Sequence, residues 1–103
     1  MDVIIKIEDL NGYYHAQDAV VKQGDVLKIT NDVPAITFTV SIGNRDQLIS
    51  GASLLNPSVA PGATVTIGTV SGNTYLEREY GIYPIGASAV PGIDAPPRII
   101  RVA

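Results

Sequence analysis

Apolar and polar residues alternate along much of this chain with a period of two, the spacing of a β-strand that buries one face. The clearest case is Ile36-Thr37-Phe38-Thr39-Val40-Ser41-Ile42. Ile36, Phe38, Val40 and Ile42 fall on one face, and Thr37, Thr39 and Ser41 on a wet one. Thr64 to Val70 alternates again, with Val65, Ile67 and Thr69 in phase. Val3 to Ile7 is a β-branched run ended by a turn at Glu8 to Gly12, where Asn11-Gly12 is a strong turn signal. Ala19 to Lys22 is a short apolar piece, Gln23-Gly24-Asp25 a tight turn, and Val26 to Asn31 the next strand. Pro34 breaks it, because proline cannot donate to a ladder.

Asp46 to Ser50 and Ala52 to Leu55 fit either short strands or one turn of helix, and Pro57 to Gly62 reads as a loop with a Pro-Gly turn. Thr74 to Tyr80 is predicted as a strand with Tyr75, Glu77 and Glu79 on one side and Leu76, Arg78 and Tyr80 on the other. Gly81 to Pro97 has no periodicity and holds four of the seven prolines, so it is expected as a long functional loop. Arg98 to Val102 closes the chain as a strand. The pattern predicts about 7–8 strands with a turn every ~8–12 residues, which suggests an all-β, antiparallel Greek-key β-sandwich. Residues 1–103 fit a single domain.

Composition narrows the function classes. Charged residues are 17% of the chain, hydrophobic residues 46%, and the net charge is −3. The seven Lys and Arg residues are scattered, so nucleic acid is not an expected partner, nor is an anionic membrane surface. No segment approaches the ~20 apolar residues of a membrane helix. Met1-Asp2-Val3 does not open like a secretion signal, and the compartment stays open. There is no cysteine and one histidine, His15. Thiolate–imidazole metal sites and Cys–His or Ser–His nucleophile pairs are therefore not expected. No Gly-x-Ser-x-Gly elbow or phosphate loop occurs, so the chain is not expected to be an enzyme.

Four sets of residues carry what chemistry there is. His15 lies in the aromatic stretch Tyr13-Tyr14-His15, expected as part of a turn. Glu77 and Glu79 are two apart on a strand and share a face, a spacing open to acid–base work or a hard cation, or to a plain solvated face. Asp25 is expected to order the Gly24 turn. Tyr75, Tyr80 and Tyr83, with the Tyr13-Tyr14 pair, supply five of the six aromatics and suit contact surfaces.

The order of the turn signals resembles one known family. Val20-Val21-Lys22-Gln23-Gly24-Asp25-Val26-Leu27-Lys28-Ile29-Thr30-Asn31 resembles the strand–turn–strand segment that precedes the first copper ligand of cupredoxins. Val59-Ala60-Pro61-Gly62-Ala63-Thr64-Val65-Thr66 resembles that family's central Pro-Gly turn. Gly72-Asn73-Thr74-Tyr75 resembles its entry to the penultimate strand, and Arg98 to Val102 its terminal strand. The resemblance implies a cupredoxin-like sandwich. It does not extend to the copper ligands. Ala35, Ile36 and Thr37 stand near the first histidine position, Glu79 at the cysteine, Ile82 at the second histidine and Ala87 near the axial methionine. A type-1 site needs thiolate and two imidazoles, so no copper and no other cofactor is expected.

The expected function is a non-enzymatic structural or protein-interaction module, with self-association or a protein partner. The contact surface expected for it is Tyr80, Ile82, Tyr83, Ile85, Val90 and Ile93. The alternative is a small-molecule or carbohydrate-binding module using tyrosines with Glu77 and Glu79. A third reading is a cryptic enzyme or metal site at His15 with Glu77 or Glu79. A fourth is a piece of a longer copper-oxidase-like chain.

Overall fold

A computed structural model describes residues 1–11, 13–42, 48–50, 57–85 and 97–102. Every described element is a strand: β1 (Asp2–Leu10), β2 (Tyr13–Ala16), β3 (Ala19–Val21), β4 (Val26–Asn31), β5 (Thr37–Ile42), β6 (Ile49–Ser50), β7 (Ser58–Val59), β8 (Thr64–Val70), β9 (Leu76–Ile85) and β10 (Arg98–Arg101). They form two five-stranded sheets, ordered β2-β1-β4-β8-β6 and β3-β10-β9-β5-β7. The all-β, sandwich-like reading of the sequence is what the chain adopts.

Several local expectations change. Tyr13-Tyr14-His15 is not a turn but strand β2, paired antiparallel to β1 with Glu8 opposite His15 and Leu10 opposite Tyr13. Asn11 takes the left-handed conformation at φ 54°. This tight reversal lets β1 run on to Leu10, beyond the turn expected from Glu8. The sheets are mixed rather than antiparallel, because β1 pairs parallel to β4 and β3 pairs parallel to β10. The chain leaves β1, passes through β2 and β3, and returns to the first sheet at β4 in its starting direction. Gly81 to Ile85 is not loop: β9 continues to Ile85, pairing Thr37–Ile42 of β5 along its second half. The rest of the expected loop up to Pro96, with Val90 and Ile93, lies outside the described residues, as does Ala52 to Leu55.

One core lies between the sheets. Ile5, Ile7, Leu27, Ile29 and Val70 of the first sheet meet Val21, Phe38, Val40, Tyr80, Ile82 and Ile99 of the second in one buried cluster. Such burial is the main favourable term in folding. Tyr14 and Phe38 touch edge to face across the layers, ring centroids 5.1 Å apart at 82°. Leu27 pairs with Gly68 but Lys28 with Thr66, leaving Ile67 as the extra residue of a β-bulge. The bulge resets the alternation, so Val70 joins Ile67 in the core and Thr69 is exposed.

Buried polar groups join the layers. Asn31 is fully buried; its amide donates to the Ile36 and Val59 carbonyls at 2.7 and 2.9 Å, and its carbonyl accepts from the Val33 amide at 2.9 Å. Asp25 holds the turn as expected, accepting from the Lys22 amide at 3.0 Å. Arg101 faces inward and caps the turn after β8: its Nε donates to the Thr74 carbonyl at 2.7 Å and its Nη1 to the Ser71 carbonyl.

Candidate functional site

The outer face of the second sheet carries Glu77, Glu79, Tyr83 and Ile85 of the residues singled out in the sequence. Strand β9 is its spine. Its inward positions, Tyr80 and Ile82, are 2% exposed. Both were expected at the contact surface; the alternation that places Tyr83 and Ile85 outward places these two in the core. The Tyr80 hydroxyl donates to the Gln17 carbonyl. Burial, with Asp18 nearby, pushes its phenol above the ordinary tyrosine range.

The outward positions divide into three bands. At the C-terminal end of β9, Tyr83 and Ile85 are 56% and 51% exposed. Thr39 stands opposite Tyr83, Thr37 opposite Ile85 and Ser41 opposite Gly81 on neighbouring β5. Gly81 leaves room for the ring: a Cβ there would meet the Tyr83 hydroxyl at 2.7 Å. Tyr83 therefore lies back along the strand over Gly81, on a floor of glycine and small hydroxyl residues.

The middle band is charged. Arg98 stands opposite Glu79, and Ile100 opposite Glu77. Arg98 Nη1 meets Glu77 Oε1 at 3.3 Å, and the Asp18 carboxylate accepts from the Arg98 amide at 2.9 Å. The Tyr75 hydroxyl hydrogen-bonds to Glu77, which raises the phenol above its usual value. Glu77 is therefore occupied by neighbours, as an ordinary surface ion pair is.

The third band is apolar, and of its members only Tyr75 was singled out in the sequence. Ile100 pairs with Val20 on one side and Glu77 on the other. Tyr75 and Val102 flank the next pair, Leu76 with Arg101. Val20 and Tyr75 are 60% and 61% exposed. The signal in the sequence was the phase of β3, where Ala19 and Val21 are buried and Val20 must face outward.

The other candidates do not join this face. His15 is on β2, in the first sheet, with its neighbours Tyr14 and Ala16 buried and Glu8 across from it. Its side chain therefore points away from the outer face of the second sheet, and His15 does not meet Glu77 or Glu79. Glu77 and Tyr83 are six positions apart on one strand, roughly 20 Å along the sheet. Tyr80 is inside. The tyrosines and carboxylates thus spread over a sheet face and do not converge on a concave site. Among the described residues no group of three or more His, Asp and Glu side chains could hold a metal ion. No described helix is long and apolar enough to cross a membrane.

No family model matches the chain, and no curated protein matches it.

Proposed function

We propose that this chain is a non-enzymatic protein-interaction and self-assembly module on a copper-free, cupredoxin-like Greek-key scaffold. The scaffold reading is supported by the ordered turn motifs and by the mixed pairing, in which β1 lies parallel to β4 and β3 parallel to β10. The lack of copper is argued from composition: no cysteine, no methionine besides Met1, and His15 alone.

The observation that carries the interaction reading is the exposure of Tyr83 and Ile85 on a strand whose alternate residues are locked in the core. The β5–β9 pairing holds the backbone in place before contact, so ordering it on binding costs little entropy. Tyrosine on a small-residue floor gives apolar area with a polar tip, the chemistry enriched in interface cores. The acid–base alternative gains nothing from the geometry, because His15 and the Glu77–Glu79 pair face apart.

Light scattering over a concentration series tests the reading. The protein is expected to associate reversibly, and Tyr83→Lys with Ile85→Lys to weaken that association without changing its far-ultraviolet spectrum. A protein that stays monomeric at every concentration contradicts the self-assembly reading.

A further inference from the structure

We infer that the β3–β10–β9 end of the outer face, away from Tyr83, is built to receive a second copy of this chain about a two-fold axis. The inference rests on the interaction reading above and names its occupant.

The apolar band there consists of Val20, Ile100, Val102 and Tyr75. Val20 is 60% exposed, Tyr75 61% and Val102 36%. Their contiguity follows from register: Val20 and Ile100 are Cα partners, and Tyr75 and Val102 flank the Leu76–Arg101 pair. Contiguous exposed apolar surface of this kind marks contact sites more often than scattered single residues do.

Charge selects the occupant. Arg98 and Glu79 are Cα partners on adjacent strands, both exposed, and Arg98 Nη1 is turned toward Glu77. A two-fold axis running between β9 and β10, parallel to them, lays β10 of each copy over β9 of the other. Arg98 then faces Glu79 of the second copy, and Glu79 faces its Arg98. Val102 and Tyr75 meet in the same reciprocal way two outward rows along, and in the row between them Ile100 comes over Glu77 of the second copy. A positive and a negative residue side by side on one face are self-complementary under this operation, which an isologous interface requires. Apolar residues meet in the Val102–Tyr75 row, and no like charges are brought together in the Arg98–Glu79 or Ile100–Glu77 rows. A face of uniform charge would have repelled its own copy.

The test is a charge-swap complementation read by analytical ultracentrifugation. Arg98→Glu alone and Glu79→Arg alone each juxtapose like charges across the axis and are expected to weaken dimerisation by about tenfold or more. An equimolar mixture of the two variants is expected to restore a dimer containing one of each. Tyr75→Lys is an independent probe at an exposed position that the axis lays against Val102 of the second copy, and is expected to weaken the same dimer without changing the melting temperature. A dimer indifferent to both swaps and to Tyr75→Lys, yet lost in Tyr83→Lys, overturns this inference and leaves the interaction reading standing. Single-swap defects that the mixture does not restore also overturn it. Monomer at all concentrations removes both.

Discussion

Asn31 shows how one side chain can hold two layers together. It makes three hydrogen bonds with no exposed surface, to Ile36, Val59 and Val33. Alanine there leaves buried carbonyls and an amide without partners. The expected cost is about 3 kcal/mol, because a buried polar group stripped of its partner loses its desolvation energy in full. Urea unfolding of Asn31→Ala measures it. Gly72 and Gly24 make a paired test. Both have positive φ, 87° and 92°. A Cβ at Gly24 meets nothing within 4 Å, while one at Gly72 would strike the Arg101 guanidinium, with Cζ at 2.8 Å. Gly24→Ala is expected to cost about 1 kcal/mol of backbone strain. Gly72→Ala should cost more, because it also displaces the cap that Arg101 places on Ser71 and Thr74.

Tyr80 gives the pH dependence at the same scale. Its phenol is raised by burial and by Asp18, so the folded chain keeps this proton at a pH where the unfolded chain has lost it. The stability tied to this group is full below the ordinary tyrosine value of about 10 and declines as pH rises above it. Tyr80→Phe should be less stable near neutrality, since Gln17 loses its donor, but should show a shallower alkaline decline. Urea midpoints taken on either side of about pH 10 decide it.

Among the elements, β4 and β8 were legible from their sequences because alternation and turn residues agreed on the same bounds. Val26–Asn31 and Thr64–Val70 are the strands the pattern predicts. Strand β5 begins at Thr37, one residue later than expected, because Ala35 at φ 64° still belongs to the preceding turn. Three features were not legible. Strand β2 carries aromatic residues next to a turn signal, and its strand character depends on pairing with β1. Strands β6 and β7 are two residues long, too short for any period to show. The bulge at Ile67 is set by the β4–β8 register, so no local pattern announces that Val70 is buried. At the candidate site the phase of β9 was readable, and it separates Tyr83 and Ile85 from Tyr80 and Ile82 once the strand is known to reach Ile85. Pro84 and Gly81 hid that extension, since each is disfavoured inside a strand. The layer-to-layer contact makes an element-scale prediction. Phe38 is fully buried and packs edge-on against Tyr14. Phe38→Ala should cost about 3–5 kcal/mol, the range for large aromatic truncations in cores, and calorimetry reads it as a lowered melting temperature.

At the scale of the molecule, the two outer faces arrange their exposed groups differently. On the first sheet Lys28 meets Asp2 at 2.9 Å, Lys6 meets Asp32 at 3.6 Å, and Thr30 and Thr64 share a hydrogen bond of 2.7 Å. These charges and hydroxyls are engaged with one another, while Ile4, Leu10 and Tyr13 are exposed on the same sheet. The second sheet instead offers Tyr83 and Ile85 at one end and Val20, Ile100, Val102 and Tyr75 at the other, with a charged band between them. A module that joins copies or partners through the second sheet covers these residues and leaves the first sheet in water.

Hydroxyl-radical footprinting of the protein at low and high concentration tests that account most directly. Tyr83, Ile85 and Tyr75 should lose labelling as the protein associates, while Leu10 and Tyr13 on the opposite sheet keep theirs. Unchanged labelling of the first three on association, or protection confined to Leu10 and Tyr13, would contradict it.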